Sequence, residues 1–146
     1  DLVSTWIEHL CLCEQSSNIE FKTLFIGKEE QVIFKYVDDS KKHLNDLVSL
    51  FIQGHKSALP LFIEAAHVFA KETLYPNPRV KQSPLEKAKK EFTKNSDGQF
   101  GSPGEAYNSF IELCFPESEA ALSSSFQNVA LRLFEPLLNH IERISL

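Results

Sequence analysis

Methionine is absent from the chain, tryptophan occurs once and glycine is held to five positions. A complete polypeptide begins with methionine, so Asp1 is expected to be an internal residue of a longer protein. No apolar run reaches the roughly 18 residues that span a bilayer, and no charged-then-apolar leader opens the chain; a soluble protein is expected. Cysteine is scarce and odd in number, three residues at irregular positions. That pattern fits reduced thiols and a cytoplasmic setting rather than a disulfide framework. An excess of positive charge is also missing: the net charge of −5 gives no global attraction to nucleic acid. Gly98, Gly101 and Gly104 are evenly spaced, but no strong strand precedes them and no Gly-Lys-Ser/Thr follows, so they read as a loop rather than a phosphate cradle.

What is present is enough to bury one core. The 146 residues are 42% hydrophobic and include twelve Phe, which leads to the expectation of a single domain over 1–146, or one compact piece of a larger one. Charge is uneven. Between Arg79 and Lys94 stand Arg79, Lys81, Lys87, Lys89, Lys90 and Lys94 against Glu86 and Glu91, a local +4, so the remainder carries −9.

The stretch from Ser40 to Leu74 looks like the organiser. Leu44, Leu47, Val48 and Phe51 fall on one face of a 3.6-residue repeat, with Ser40 suited to cap the start and Gly54 to stop it. After Pro60, the residues Phe62, Ile63, Ala66, Phe69 and Ala70 repeat the pattern up to Pro76. Before this pair, Leu2 to Glu14 reads as a helix apolar on most of its circumference, with Leu2, Trp6, Leu10 and Cys13 in one stripe. Ile19 to Ile26 alternates as a strand, Gly27 to Glu30 has the length of a hairpin loop, and Gln31 to Val37 returns with Val32, Phe34 and Tyr36 on one face. A lone hairpin is marginal in water, so helices behind it or further strands are needed. Beyond Tyr75-Pro76-Asn77-Pro78, an extended connection, Ser83-Pro84 opens a helix to Asn95. A loop to Glu105 follows, then a short helix from Ala106 to Cys114. In the closing segment Leu122, Phe126, Val129, Ala130, Leu133 and Phe134 share a side. Pro136 there is expected to kink the helix or start another containing Leu137, Ile141 and Ile144. The fold class is α+β, mostly helical, with one β-hairpin (about 19–37) packed with five to six helices.

Four features invite a chemical reading. Glu20-Phe21-Lys22 is half of the PD-(D/E)xK nuclease constellation, in which carboxylates hold a divalent metal and the lysine steadies the attacking water. The other half, an acid from an earlier strand, has no candidate: Asp1, Glu8 and Glu14 lie in or beside a helix. Polar-out alternation accounts for the same letters. Cys11 and Cys13 point about 200° apart on a helix. His9 and Cys13, four apart, are able to meet, but no second pair with zinc-site spacing follows, so they read as core. Lys87, Lys90 and Lys94 at i, i+3 and i+7 form a face suited to DNA phosphates, against the commoner reading of a solvated face. Trp6 and Leu10 sit on the apolar surplus of the opening helix, which reads either as core or as a partner-facing patch. No set of residues makes a complete catalytic, cofactor or metal site.

Leu2-Val3-Ser4-Thr5-Trp6-Ile7-Glu8-His9-Leu10 followed by a short hairpin resembles the C-terminal region of the RecC family, the gamma subunit of exodeoxyribonuclease V. Leu50-Phe51-Ile52-Gln53-Gly54, then Leu59-Pro60-Leu61-Phe62, is similar to that family's helix, Gly, short spacer and Pro-Leu-rich segment. An Ala-Lys-rich helix before Gly104-Glu105 and Tyr107, and the closing Phe134-Glu135-Pro136-Leu137-Leu138, come in the family's order. An acidic stretch expected after Gly-Glu is reduced here to Ala106-Tyr107-Asn108. The resemblance implies part of a degenerate PD-(D/E)xK nuclease-like domain without catalytic residues, cofactors or metal. It also implies a subunit that assembles with the beta and alpha subunits, meets double-stranded DNA ends through that complex and guides the separated strands. The alternatives from the residues alone are a residual metal-dependent nuclease using Glu20 and Lys22, and a small helical DNA-binding module using Lys87, Lys90 and Lys94.

Overall fold

The computed structural model describes residues 2–15, 21–27, 30–94, 103–116 and 121–145. Among them the elements run α1 (Leu2–Gln15), β1 (Thr23–Ile26), β2 (Glu30–Phe34), α2 (Ser40–Lys56), α3 (Ile63–Leu74), α4 (Pro84–Phe92), a 3-10 turn (Glu105–Tyr107), α5 (Ser109–Cys114), α6 (Ser124–Asn139) and β3 (Ile141–Ser145). The mostly helical α+β expectation holds. The chain separates into two compact units, residues 1–52 with 136–146 and residues 53–135; the division falls inside α2 and inside α6.

In the first unit α1 turns Trp6, His9, Leu10 and Cys13 inward. Their i, i+3, i+4, i+7 spacing is one helical face. The rest of the apolar circumference is not covered: Ile7 and Leu12 are exposed. The inward face meets β2, whose Val32 and Phe34 are fully buried, with the Trp6 and Phe34 rings 6.2 Å apart. The strands are shorter than the alternation implied. Phe21 and Lys22 precede β1 without regular structure, Tyr36 lies past the end of β2, and Ile19 and Glu20 are outside the described residues.

The hairpin acquires its third strand from this chain. Ile141–Ser145 pairs antiparallel with β2, giving the order β1-β2-β3. The expectation of a helix through Ile141 and Ile144 is therefore corrected. Three-residue spacing fits either state, but the free edge of β2 offers backbone groups that need partners, and pairing satisfies them on both strands. Helix α6 runs through Pro136 and ends at Asn139. At its end the His140 Nδ1–H donates to the Pro136 carbonyl at 2.7 Å, and the His140 carbonyl accepts from the Lys35 amide at 2.8 Å. Arg143 Nη1 donates to both carboxylate oxygens of Glu30 at 2.8 and 3.0 Å, tying β3 to β2.

Helix α2 departs from expectation in three ways. It passes Gly54 and reaches Lys56. The Ser40 hydroxyl donates to Glu14 Oε2 at 3.2 Å instead of capping its own helix. The buried apolar residue is Leu50, while Val48 and Phe51 are 54% and 68% exposed. Periodicity located the stripe, but packing uses a face rotated away from it.

The second unit is built on Phe62. Its ring lies 4.5 Å from Phe92 of α4, 5.4 Å from Phe115 and 5.8 Å from Phe126 of α6. Alanines 65, 66, 70 and 88 are fully buried where α3 and α4 pack together; small residues let two helices approach closely. Ser83 and Glu86 form a reciprocal capping box with Pro84 in the first turn, which is why α4 starts where the sequence places it. It ends at Phe92, short of Asn95. Gly104 lies against that end, where a Cβ would come 2.5 Å from the Phe92 carbonyl oxygen and 2.7 Å from the Lys94 nitrogen. Only glycine fits there.

Next to it, Glu105 reaches the start of α3. Phe62, the N-cap position, offers no side-chain cap, and Glu105 Oε2 accepts from the Ala65 amide at 3.1 Å in its place. Burial raises the Glu105 carboxyl above its ordinary range, opposed by the amides of Ala65, Glu64 and Ile63. The Glu105→Ala variant should lose about 0.5–2 kcal/mol, the usual worth of an N-cap. Glu105→Gln, which keeps an acceptor without a buried charge, should stay close to wild type at neutral pH. Urea unfolding of the two variants measures both.

Candidate functional site

The best-built polar feature lies at the open end of the hairpin, in the first unit, and its keystone is His9. The ring is fully buried, in contact with Trp6 (6.1 Å between centroids), Phe34 (5.6 Å) and Phe21 (5.5 Å). Its Nε2 lies 2.8 Å from the Lys35 carbonyl oxygen and its Nδ1 2.7 Å from Thr23 Oγ1. A carbonyl only accepts, so Nε2 carries the hydrogen and Nδ1 accepts from the Thr23 hydroxyl. One neutral imidazole thus holds both strands of the hairpin where they open.

Cys13 Sγ is 3.5 Å from the same Nε2. His9 and Cys13, read from sequence as core residues whose spacing lets them meet, do come into contact, and both groups are neutral. Burial lowers the His9 pKa against the pull of the Lys35 carbonyl, with His140 pushing the same way. Burial raises that of the Cys13 thiol. A nucleophilic or metal-binding pair needs a thiolate, and among the described residues no group of three His, Cys, Asp or Glu is placed to hold a metal ion.

Beyond this clamp the open end forms a hollow of about 360 Å³ lined by Phe21, Lys22, Lys35, Tyr36 and Asp38. Sequence reasoning singled out Lys22 for a different chemistry and missed Lys35, Tyr36 and Asp38. Their convergence depends on strand register, which a single strand's pattern does not reveal. Lys22 is exposed, Lys35 pairs weakly with Glu142 at 3.9 Å, and Phe21 and Tyr36 meet edge to face at 6.1 Å. Glu20, the acid of the nuclease-like trio, is outside the described residues.

The other expected site residues are dispersed. Lys87 is committed to an ion pair with Glu72, Lys94 lies past the end of α4 and pairs with Glu91 at 3.3 Å, and Lys90 is exposed. Trp6 and Leu10 are 1% and 0% exposed, which leaves neither any surface to offer a partner. No helix among the described residues is long and apolar enough to cross a membrane.

The first unit is thus a short antiparallel sheet backed by one face of α1, with a neutral histidine clamp and a hollow lined by Phe21, Lys22, Lys35, Tyr36 and Asp38. The model of the RecC C-terminal domain family matches residues 1–73, half of the 146-residue chain, and the chain belongs to that family. Comparison with curated proteins gave no match, and comparison with solved structures gave none.

Because the folded state holds His9 neutral, it binds fewer protons than the unfolded chain below the ordinary imidazole value of about 6.5. The clamp's stability is therefore complete above that value and is lost as pH falls through the window beneath it. The melting temperature should drop on acidification from pH 7.5 to pH 5. In His9→Gln that acid slope should flatten, while stability at pH 7.5 falls by about 1–3 kcal/mol for the orphaned partners.

Proposed function

We propose that the chain is a non-catalytic C-terminal part of the gamma subunit of a RecBCD-type helicase/nuclease, exodeoxyribonuclease V. In this reading it serves double-strand break repair and recombination by joining the beta and alpha subunits and guiding DNA strands in the cytoplasm. The observation that carries it is the RecC family match over residues 1–73, the stretch containing α1, the hairpin and α2. The reading treats the sheet and α1 as what is left of a nuclease-like domain. Support for the assembly role comes from Val48, Phe51 and Ile52, which are 54%, 68% and 48% exposed on α2. Exposed aliphatic and aromatic surface of this kind is what obligate complexes cover, and it takes over the partner-facing role assigned from sequence to Trp6 and Leu10.

Two measurements test the proposal. Linear DNA incubated with the chain and Mg²⁺ should remain intact; metal-dependent cleavage abolished by Glu20→Ala would establish the residual-nuclease alternative instead. Purified beta and alpha subunits should retain the chain on a column, and Val48→Asp with Phe51→Asp should release it. Retention unchanged by that pair would remove α2 from the interface.

A further inference from the structure

We propose that the free edge of β1 pairs with the same edge of a second copy of this chain, antiparallel across a two-fold axis at Phe25. The pairing goes beyond the function proposed above and does not rest on it. Among the described residues β1 has a neighbouring strand on one side only, since the order is β1-β2-β3. The bonding pattern shows which residues face the open side. The Gly27 amide donates to the Glu30 carbonyl at 2.9 Å, and bonded pairs alternate along an antiparallel ladder. Phe25 and Thr23 therefore bond to Val32 and Phe34, their partners in register, while Leu24 and Ile26 turn N–H and C=O outward. The far side of β2 agrees. There the Lys35 amide donates to the His140 carbonyl at 2.8 Å, so odd-numbered residues of β2 serve β3 and even-numbered ones serve β1.

Native sheets blunt a free edge with charge, proline or a bulge. Thr23-Leu24-Phe25-Ile26 carries no charge and no proline, and its one-to-one register with β2 contains no bulge. The opposite edge, β3, is guarded by Glu142 and Arg143. Leu24 and Ile26 are 53% and 66% exposed, and they share with Ile33 and Ile144 the sheet face opposite to buried Val32 and Phe34. An occupant of this edge must bring outward-facing backbone groups of its own, aliphatic side chains at alternate positions and no charge. A second β1 brings all three. With Phe25 opposite Phe25, Leu24 of each copy lies opposite Ile26 of the other, so outward residues meet outward residues on both strands. Aliphatic pairs then face each other across the new ladder, and the contact is isologous. A strand this short makes a small interface, in the weak and transient class below about 1,200 Å², so the association is reversible.

The test is sedimentation velocity of the full chain at concentrations up to about 1 mM, which should show a reversible monomer–dimer equilibrium. Leu24→Lys with Ile26→Lys, which sets like charges across the ladder, should raise the dissociation constant about 10-fold or more. Ile26→Pro should act in the same direction. It removes an outward donor and spares the ladder to β2, because an edge strand tolerates proline where its N–H faces away. Ile144→Lys, on the same face but off this edge, should leave the constant unchanged, and so should Val48→Asp with Phe51→Asp on α2. Circular dichroism confirms that each variant is folded. Amide exchange followed by NMR reads the unaltered chain: the Leu24 and Ile26 amides should gain protection as concentration rises, while those of Thr23 and Phe25 are protected throughout. A chain that stays monomeric at the top of the range overturns the proposal, as does a dimer that survives both β1 variants or leaves the Leu24 and Ile26 amides unprotected. A dimer lost in Ile144→Lys or in the α2 variant would place the contact on the sheet face or on α2, and overturns it equally. Retention by the beta and alpha subunits is read separately, so either proposal fails without the other.

Discussion

A single buried imidazole, that of His9, sets the geometry of the first unit. Helix α1 is joined to the sheet by apolar contact, which is strong but not directional. The two hydrogen bonds from His9, to Thr23 on one strand and to the Lys35 carbonyl beyond the other, fix where α1 meets the hairpin. They also hold the strands together at their open end. The ring itself lies buried among Trp6, Phe34 and Phe21, and a buried polar group with both partners satisfied is worth keeping.

The second unit uses the same device with an acid. Glu105 crosses forty positions of sequence to cap α3 at Ala65, and Gly104 lets its backbone come close enough to the end of α4 for this to happen. The Gly-Glu pair that helped mark the family resemblance thus has a structural explanation: one residue removes a side chain, and the next supplies a missing helix cap. Both residues tie the start of α3 to the end of α4, the two helices that pack around Phe62.

Much of the fold was legible where a local rule and the tertiary structure agree. The inward face of α1, the run of α3 and the capping-box start of α4 follow from periodicity and capping residues. What escaped was decided by partners distant in sequence. Ile141 and Ile144 are spaced as on a helix, yet the open edge of β2 made them a strand. Val48 and Phe51 belong to the apolar stripe that periodicity marks on α2, yet α2 buries Leu50 and leaves them outside. His9 and Cys13 read as a helical pair, but that the histidine bonds reach Thr23 and Lys35 is a fact of packing. The hollow was illegible for the same reason, since the residues that line it come from both arms of the hairpin.

The central claim is that His9 is a neutral clamp with its hydrogen on Nε2. Nitrogen-15 NMR of the imidazole at pH 7 measures this directly. The account predicts a protonated Nε2 coupled to a buried carbonyl and an unprotonated Nδ1, persisting below the pH at which an exposed histidine takes up its second proton. A His9 ring that is doubly protonated at pH 7, or that carries its hydrogen on Nδ1, would contradict it.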